Sequence, residues 1–316
     1  MSRDILVAGE TLVDFIPDRP GALAEVGDFS RRAGGAPANV AVGLARLDRT
    51  PWFWTRVGTD PFGDFLARTL AEYGLPDRFL ERDPEAKTTL AFVAHDPDAD
   101  RSFSFYRDRT ADTRLEPGGV PDGVLESVEW VYAGGVALAS DPARTATLDL
   151  IERADCPVVF DPNARPELWD EFDFGATVRE VLPSVAVVKA SSEDLRAAGI
   201  EGEDAPALAR AVTERGPHTA FVTRGSAGTY ALATDDAPWG PVETEHGGYD
   251  ADPVDTTGAG DAFTAGALAA LADGEPLAEV VEFGNAVAAA TVTERGAMAA
   301  LPDRPRVTEI RSGGGR

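Results

Sequence analysis

The sequence predicts an α/β domain built on a mostly parallel sheet with helices on both faces. Short apolar segments recur along the chain, and segments with helical spacing lie between most of them. These segments are apolar on both faces, which is typical of parallel strands buried on both sides. A length of 316 residues allows one large domain, or one domain with a small addition.

Five apolar segments predict the central strands in chain order. They begin at Ile5, Trp130, Pro157, Val185 and Thr219. A helix is predicted after the first glycine pair, where apolar residues recur every three or four positions from residue 38 to residue 47. A second helix is predicted after residue 260, and a glycine at position 274 is suited to end it.

Two regions break this alternation of strands and helices. Residues 11–33 and 87–107 alternate apolar and polar side chains between turn residues, which predicts half-exposed strands. We expect these strands to pair as a small separate sheet inserted into one domain over residues 1–310. The last residues, 311–316, are predicted to be a disordered tail.

The charge of the chain is strongly negative. There are 29 Lys and Arg residues against 54 Asp and Glu residues, a formal charge of −25. A nucleic-acid partner is disfavoured, because binding a polyanion needs a positive field. Near-absence of lysine beside abundant arginine favours a halophilic surface, as in haloarchaeal proteins, over an ordinary acidic one.

The chain begins directly with a strand pattern and has no apolar run near the roughly 20 residues of a membrane helix. A single cysteine, Cys156, can form no internal disulfide and is expected to be a small buried hydrophobe. We therefore expect a cytoplasmic protein with no membrane partner.

The stretch DTTGAGDAFTAGAL, residues 255–268, carries the strongest chemical signal. Gly258 and Gly260 allow a tight turn and close approach of a ligand to the first free NH groups of the following helix. Those NH groups and the helix dipole favour an anion. Asp261 in the same first turn is suited either to complement the helix terminus or to accept a proton from a hydroxyl while the NH groups hold a phosphate.

This stretch resembles the C-terminal signature of the ribokinase or PfkB family of carbohydrate kinases. A second stretch that begins GGAPANVAVGLARL at Gly34 resembles the N-terminal signature of the same family. The resemblance spans about residues 5–302. It implies a ribokinase-like, doubly wound fold in which the small sheet is a lid, and a homodimer formed through that lid.

The resemblance also implies roles at the phosphoryl-transfer site. Asp261 is expected to be the catalytic base, and the backbone NH groups of Gly258, Ala259 and Gly260 the anion hole. ATP and Mg²⁺ are the implied cofactors. Asp255 and Thr256 match positions that lie near a monovalent cation such as K⁺ in some members.

Further residues match the family's sugar-binding and nucleotide-binding positions. Those expected to bind the sugar are Asp14, Gly34, Gly35, Asn39, Tyr106, Arg107 and Arg165. Those expected near the nucleotide are Ser191, Asp194, Thr223, Gly225, Gly228 and Asn285. Ser191 and Asp194 depart from the commonest Asn and Glu of the family, and Asp194 is expected to reach Mg²⁺ through water.

The stretches around Arg107 and Arg165 resemble fructokinases, and the second also resembles 2-keto-3-deoxygluconate kinases. A guanidinium suits a substrate carboxylate, so the two arginines leave both sugars open. The LVDF and AD segments favour fructose. A catalytically silent sugar-binding protein on the same fold stays an alternative. A dinucleotide-binding oxidoreductase is disfavoured, because the glycines near Gly258 do not match the GxGxxG pattern of dinucleotide-binding proteins.

Overall fold

A computed structural model describes residues 4–19, 21–95 and 101–313 of the chain. The strands are β1 (Ile5–Ala8), β2 (Leu12–Pro17), β3 (Phe29–Gly34), β4 (Trp52–Gly58), β5 (Leu80–Asp83), β6 (Leu90–His95), β7 (Arg101–Tyr106), β8 (Trp130–Gly134), β9 (Val158–Asp161), β10 (Val187–Ser191), β11 (Thr219–Thr223), β12 (Thr229–Ala233) and β13 (Val242–His246). The helices are α1 (Ala36–Arg46), α2 (Pro61–Glu72), α3 (Asp122–Leu125), α4 (Ala143–Arg153), α5 (Phe174–Val181), α6 (Ser192–Ala197), α7 (Ala205–Thr213), α8 (Ala259–Ala272), α9 (Leu277–Val292) and α10 (Arg304–Arg311).

The main sheet has nine strands in the order β13-β12-β11-β10-β9-β8-β1-β4-β5. Strands β11 through β5 in this order pair in parallel, whereas β12 and β13 add an antiparallel edge. The five apolar segments found in the sequence form β1, β8, β9, β10 and β11 at its centre. Helices cover both faces, so the predicted α/β class is confirmed.

The core lies in two layers, one on each face of this sheet. On one face, β-strand side chains pack against apolar residues of α1, α8, α9 and α10. On the other face they pack against α4, α5, α6 and α7. Helix α8 is buried from Ala262 to Leu271, since it runs between α1, α9 and the sheet. Its first turn is thereby held rigidly at the carboxyl ends of the parallel strands.

A separate four-stranded sheet has the order β3-β2-β6-β7. Register places Asp14 of β2 beside Ala91 of β6, and Ala91 beside Phe105 of β7, so these side chains share one face. Tyr106 and Phe92 lie on the opposite face, where their rings meet edge-on at 5.4 Å. We call the face of Asp14 and Phe105 the inner face of the lid.

The C-terminus is ordered further than the sequence predicted. Arg311, the first residue of the predicted disordered tail, is the last residue of α10. Its guanidinium pairs with Glu279 at 2.5 Å and with Glu282 at 3.0 Å on α9, which fixes this helix end. Residues 314–316 of that tail lie outside the described residues.

Within the part of the chain that the structure describes, none of the helices is long and apolar enough to cross a membrane.

Candidate active site

A glycine turn places the first residues of α8 at the centre of the site. Gly258 precedes the helix with φ 78°, a left-handed conformation that strains any residue with a side chain. A Cβ at this position would lie 2.6 Å from the Cβ of Ala297. Helix geometry leaves the NH groups of Gly260 and Asp261 without an acceptor inside the helix. The turn therefore presents backbone donors and a helix N-terminus together.

Asp261 lies in this first helical turn and is held by α1. Nδ2 of Asn39 donates a 2.8 Å hydrogen bond to Oδ2 of Asp261. Burial raises the pKa of Asp261 to about 6, and the Asn39 hydrogen bond and the Lys189 ammonium limit this rise. A carboxylate with this pKa is ionised at neutral pH and is basic enough to accept a proton.

Asp14 lies opposite Asp261, on the inner face of the lid. A Cβ on Gly34 would lie 2.0 Å from Oδ2 of Asp14, so any other residue at this position would displace the carboxylate. Burial raises the pKa of Asp14 to about 7, the charge of Asp261 adds to the rise, and Arg165 opposes it. We call the region in which the charges of Asp14, Arg165 and Asp261 act on one another the polar space between the lid and the glycine turn.

Gly35 is the N-cap residue of α1, and Glu10 binds the start of this helix. The NH group of Ala36 donates a 3.2 Å hydrogen bond to Oε1 of Glu10. Among the described residues, Oε2 of Glu10 has no hydrogen-bond partner although it is buried. Burial raises the pKa of Glu10 to about 7, against the opposing charge of Arg107. Glu10 therefore adds a third acidic group to this space.

Arg107 is buried and already paired within the protein. Its Nε lies 2.7 Å from Oδ2 of Asp112, and both side chains are at most 5% exposed. The described residues provide no hydrogen-bond partner for Nη2 of Arg107. The guanidinium is thus half committed to Asp112. Nη2 therefore has no partner among the described residues that would compete with a ligand.

Tyr106 is not brought to the site with the other sugar-binding candidates. It is 65% exposed and lies on the outer face of the lid, away from Asp14. The neighbouring Phe105 is on the inner face instead, stacked on Phe103 at 5.7 Å. The guanidinium of Arg165 lies 5.7 Å from the ring of Phe103. Strand alternation explains the exchange, since adjacent residues point to opposite faces.

A cavity of about 360 Å³ opens on the other side of the glycine turn. Its lining includes Ala259 and Gly260 at the start of α8, so it meets the space around Asp261 at the turn. Four nucleotide-binding candidates and one cation candidate line it as well, namely Thr223, Gly225, Gly228, Asn285 and Thr256. The amide of Asn285 accepts from Thr229 at 3.1 Å and donates to the Val281 carbonyl at 2.9 Å, which fixes its orientation.

Ser191 and Asp194 form a capping box at the start of α6. The Ser191 hydroxyl accepts from the NH group of Asp194 at 3.0 Å, and Oδ2 of Asp194 accepts from the NH group of Ser191 at 3.1 Å. Oδ1 of Asp194 also accepts from the NH group of Ala164 at 2.9 Å. Neither residue is among the described ones that line the cavity. Their contacts join α6 to the loop after β9.

Asp255 connects the glycine turn to the loop after α9. Its Oδ1 accepts hydrogen bonds from the NH group and hydroxyl of Thr257, at 2.9 and 2.7 Å. Its Oδ2 accepts from the NH group of Gly296 at 3.0 Å. This carboxylate therefore orders the turn from which α8 begins.

Several residues of the site were not identified from the sequence. Lys189 and Asp161 form a buried ion pair at 2.8 Å, and both are coupled to the charge of Asp261. They stand at the ends of apolar strand segments, where polar side chains gather in parallel sheets. Their position at the strand ends is the sequence feature from which they could have been predicted. Phe105 could not be predicted, because strand alternation does not show which face of the strand lies toward the site.

The fold and the site together define a phosphoryl-transferring enzyme. Backbone donors, a basic carboxylate, a polar space under a lid and a separate cavity meet at one helix terminus. The family model described as pfkB family carbohydrate kinase matches residues 2–304. The chain belongs to this family. The predicted activity class, an ATP-dependent carbohydrate kinase similar to fructokinases, is confirmed.

Individual relatives match over nearly their whole length. Fructokinase of Klebsiella pneumoniae is 36% identical over 314 residues, 96% of this chain and 97% of that protein. The crystal structure of fructokinase with bound ATP from Xylella fastidiosa has a TM-score of 0.87 and 30% identity, covering 100% of both chains. Fructokinase from Vibrio cholerae O395, in a fructose, ADP and calcium ion bound form, has a TM-score of 0.85 and 31% identity, covering 98% of this chain and 99% of that one. These neighbours confirm the ribokinase-like fold.

Proposed function

We propose that this kinase transfers the γ-phosphoryl group of ATP to a primary hydroxyl of fructose. The observation that carries the proposal is the convergence of Asp14, Arg165 and Asp261 between the inner face of the lid and the glycine turn. The relatives named fructokinase support the choice of sugar. Carboxylates bind sugar hydroxyls well, because each oxygen accepts hydroxyl protons.

In this proposal Asp261 accepts the proton of the attacking hydroxyl. The NH groups of Gly258, Gly260 and Asp261 stabilise negative charge on the transferring phosphoryl group. The predicted contribution of Ala259 is wrong, because its NH group donates a 3.3 Å hydrogen bond to the Thr256 carbonyl. Asp14 and Arg165 orient the sugar. Asn39 holds the base in place through its 2.8 Å hydrogen bond. Gly34 and Gly35 keep the space beside Asp14 and the start of α1 open. Positioning of this kind contributes much of the rate in phosphoryl transfer.

We place the nucleotide in the cavity of about 360 Å³ that meets the turn. Its walls are largely apolar, with Phe263, Ala289 and Val292 among the lining residues, which suits a planar base. Thr223, Gly225, Gly228 and Asn285 supply the polar part of the lining. A phosphate chain leaving this cavity would reach the NH groups at the start of α8.

Magnesium would be held mainly by the nucleotide phosphates, whose charge it neutralises. Mg²⁺ keeps several of its waters and needs one or two carboxylates. Asp194 fits such a water-mediated contact and no closer one, because its oxygens already accept the NH groups of Ala164 and Ser191.

A monovalent cation beside Asp255 and Thr256 is part of the proposal. The carboxylate of Asp255 already ties the turn to the loop at Gly296, so a cation there would stabilise the same geometry. A Vibrio cholerae fructokinase double mutant has been solved in a fructose, ADP and potassium ion bound form. Turnover in KCl against the same concentration of NaCl measures this requirement directly.

The competing substrate is 2-keto-3-deoxygluconate. Its carboxylate would need a guanidinium, and because Nε of Arg107 is committed to Asp112, Arg165 is the guanidinium left for it. It would also meet Asp14, Glu10 and Asp261, three acidic groups in the same space. Because like charges repel in a site of low dielectric, these residues favour a neutral sugar.

A screen of ADP release at high KCl tests the substrate. The acceptors are fructose, 2-keto-3-deoxygluconate, ribose, glucose, adenosine and the fructose phosphates. We expect fructose to have the highest kcat/KM, and NMR of the product identifies the hydroxyl that is phosphorylated. A clearly higher kcat/KM for 2-keto-3-deoxygluconate contradicts the proposal. Sugar-dependent thermal stabilisation with no ADP release would instead support a silent sugar-binding protein.

We also propose a homodimer formed through the lid, in a cytoplasm of high salt. The outer face of the lid carries aromatic rings of Phe15, Phe92 and Tyr106, and Tyr106 is 65% exposed. Phe15 and Phe92 are half-buried, and an exposed aromatic side chain beside them is typical of an interaction surface. Light scattering of the wild type and a Tyr106→Ala variant measures whether this surface holds a dimer.

A further inference from the structure

Lysine is almost excluded from this protein, yet one of its two lysines is buried at the site. The sequence has 29 Lys and Arg residues, of which only Lys87 and Lys189 are lysines. Lys87 lies exposed on the loop before β6. Lys189 is 6% exposed and lies in β10, near the middle of the main sheet. Position 189 therefore carries a compact ammonium group in a chain whose other basic residues are almost all arginines.

The ammonium of Lys189 lies directly against the glycine turn. A Cβ built on Gly260 would lie 3.0 Å from Nζ of Lys189, so the amine fills the space beside this glycine. Oδ2 of Asp161, at the end of β9, lies 2.8 Å from Nζ and fixes its position. The side chains of the pair are 7% and 1% exposed. The charge of Lys189 also lowers the pKa of Asp261, one residue further along α8.

Stability alone does not explain such a pair. Removing two charges from water costs several kcal/mol per ion, and well-packed apolar residues of the same volume are often as stable or more so. Burial by itself would lower the pKa of Lys189, but Asp161, with Asp261 and Asp194, raises it above its ordinary value. The amine therefore remains a cation beneath the turn.

We propose that Lys189, held by Asp161, is a positioning residue for phosphoryl transfer that keeps Asp261 ionised and offsets the negative charge at the turn. The inference rests on the proposed role of Asp261 as the base. When sugar and nucleotide are bound, a carboxylate and a phosphoryl group lie close together in a space of low dielectric. Their repulsion would favour protonation of Asp261, which would remove the base. The fixed ammonium of Lys189, on the core side of the turn, opposes the protonation of Asp261.

Several charged groups face the carboxylate and the amine. Around Asp261 they are Lys189 and Asp161 from the main sheet, Arg165 after β9, Asp14 of the lid and Glu10 before the lid. Around Lys189 they are Asp161, Asp261 and Asp194. The charges that act on Asp14 are Asp261 and Arg165. A pH limb that moves when Lys189 is changed therefore reports Asp261 or Asp161, and the Asp161→Asn variant, which removes the second group, distinguishes them.

The test compares the pH dependence of kcat in Lys189→Met, Asp161→Asn and the wild type, with saturating sugar and ATP. Lys189→Met removes the positive charge at similar volume, so the acidic limb should move to higher pH by about one unit. Asp161→Asn removes a negative charge near Asp261, while Asp261 and Asp194 still favour the cationic form of Lys189, so the limb should move to lower pH. Lys189→Arg, which retains the charge, should hold the limb near its wild-type position. Lys87→Met is the matched control and should leave the profile unchanged.

Opposite movement in Lys189→Met and Asp161→Asn is the result that a purely structural pair would not produce. An unmoved limb, or movement in the same direction in both variants, overturns the inference. If Lys189→Met does not fold, as judged by circular dichroism, Lys189→Gln takes its place: an upward shift of the limb supports the inference, and an unmoved or lowered limb contradicts it. Turnover that survives in Asp261→Asn contradicts the proposed base itself. An inactive Asp261→Asn beside an unmoved limb contradicts only the role of Lys189.

Discussion

Nδ2 of Asn39 donates a 2.8 Å hydrogen bond to Oδ2 of Asp261, although 222 residues separate them in the chain. This contact joins the first turn of α1, next to the lid, to the first turn of α8, at the cavity proposed for the nucleotide. It orients the carboxylate of Asp261 between the two spaces. The proposed reaction needs that orientation, because the base must reach a sugar hydroxyl while the turn faces a phosphate.

Replacing Asp261 by asparagine should abolish most of the turnover. We expect kcat to fall by about 10² to 10⁴, the usual contribution of a general base, while folding and ATP binding persist. Steady-state ADP release and calorimetric titration with ATP measure the two properties. Asp252→Asn is the matched control, since Asp252 is exposed on the loop before the turn. Near-normal turnover in Asp261→Asn would rule out Asp261 as the base.

The same variant should be more stable than the wild type at alkaline pH. Burial raises the pKa of Asp261 from 3.8 to about 6, so the folded protein retains a proton that the unfolded chain releases. The resulting stabilisation is present below about pH 4 and is lost as pH rises through about 6. Asparagine stays neutral, so Asp261→Asn should gain up to about 3 kcal/mol relative to the wild type across this window.

Denaturant unfolding of both proteins at about pH 5.5 and about pH 8 measures that gain. The advantage of Asp261→Asn should be larger at the higher pH. Asp252→Asn, on the surface, should show no such dependence. If the two proteins differ in free energy of unfolding by the same amount at both pH values, burial does not raise the pKa of Asp261.

Removing the Asn39 amide should make Asp261 harder to ionise. The Asn39 hydrogen bond lowers the pKa of Asp261, so in Asn39→Ala that pKa should rise and the acidic limb of kcat should move to higher pH. Part of the lost turnover should return when the assay pH is raised. A uniform loss at every pH would show instead that Asn39 acts on orientation alone. Profiles of kcat against pH distinguish the two cases.

Gly258→Ala should disrupt the turn more than its conformation alone explains. The new Cβ would meet the Cβ of Ala297 at 2.6 Å, in addition to the strain of φ 78°. Gly274→Ala is the matched control, because Gly274 has φ 75° but no atom within 4 Å of a new Cβ. We expect roughly 1 kcal/mol of destabilisation in Gly274→Ala and about 1 to 3 kcal/mol more in Gly258→Ala.

Thermal unfolding and turnover of both glycine variants provide the comparison. Only Gly258→Ala should also lose kcat and affinity for ATP, since the turn carries the anion-binding NH groups. Equal losses of activity in the two variants would mean that the Gly258 turn has no specific role in the reaction.

The two faces of the lid should respond differently to truncation. Phe105→Ala changes the inner face beside Asp14, so the KM for the sugar should rise by about tenfold. Tyr106→Ala changes the outer face, so the KM should stay near the wild-type value while a dimer weakens. Steady-state kinetics and light scattering measure the two effects. A raised KM in Tyr106→Ala, measured at a protein concentration where the wild type is also monomeric, would mean that Tyr106 contacts the sugar.

Much of the fold followed from local sequence patterns. The apolar segments at Ile5, Trp130 and Thr219 are central strands, because residues apolar on both faces need a sheet covered on both sides. The glycine turn before α8 was also readable, since turn residues and helical spacing act over a few positions. The resemblance of two stretches to family signatures then identified the class of enzyme and Asp261 as the candidate base.

The sequence by itself could not decide which side chains meet. Tyr106 was expected at the sugar and Phe105 was not, because alternation gives two faces but does not say which faces the site. Arg107 was expected to bind substrate, yet its Nε is committed to Asp112. Ser191 and Asp194 cap α6. Their three-residue spacing is compatible with a capping box and with ligand binding, so the sequence did not distinguish the two roles.

The Lys189 pair and the Asn39 contact depended on the tertiary structure alone. Asp161 and Lys189 lie on adjacent parallel strands that are separated by a helix in the chain, and Asn39 meets Asp261 only when α1 packs beside α8. The sequence determined the strands and the turn through short-range chemistry, and its resemblance to the family pointed to the candidate base. The tertiary structure decided the charges around that base, because packing of distant elements sets burial, and burial sets how strongly those charges act.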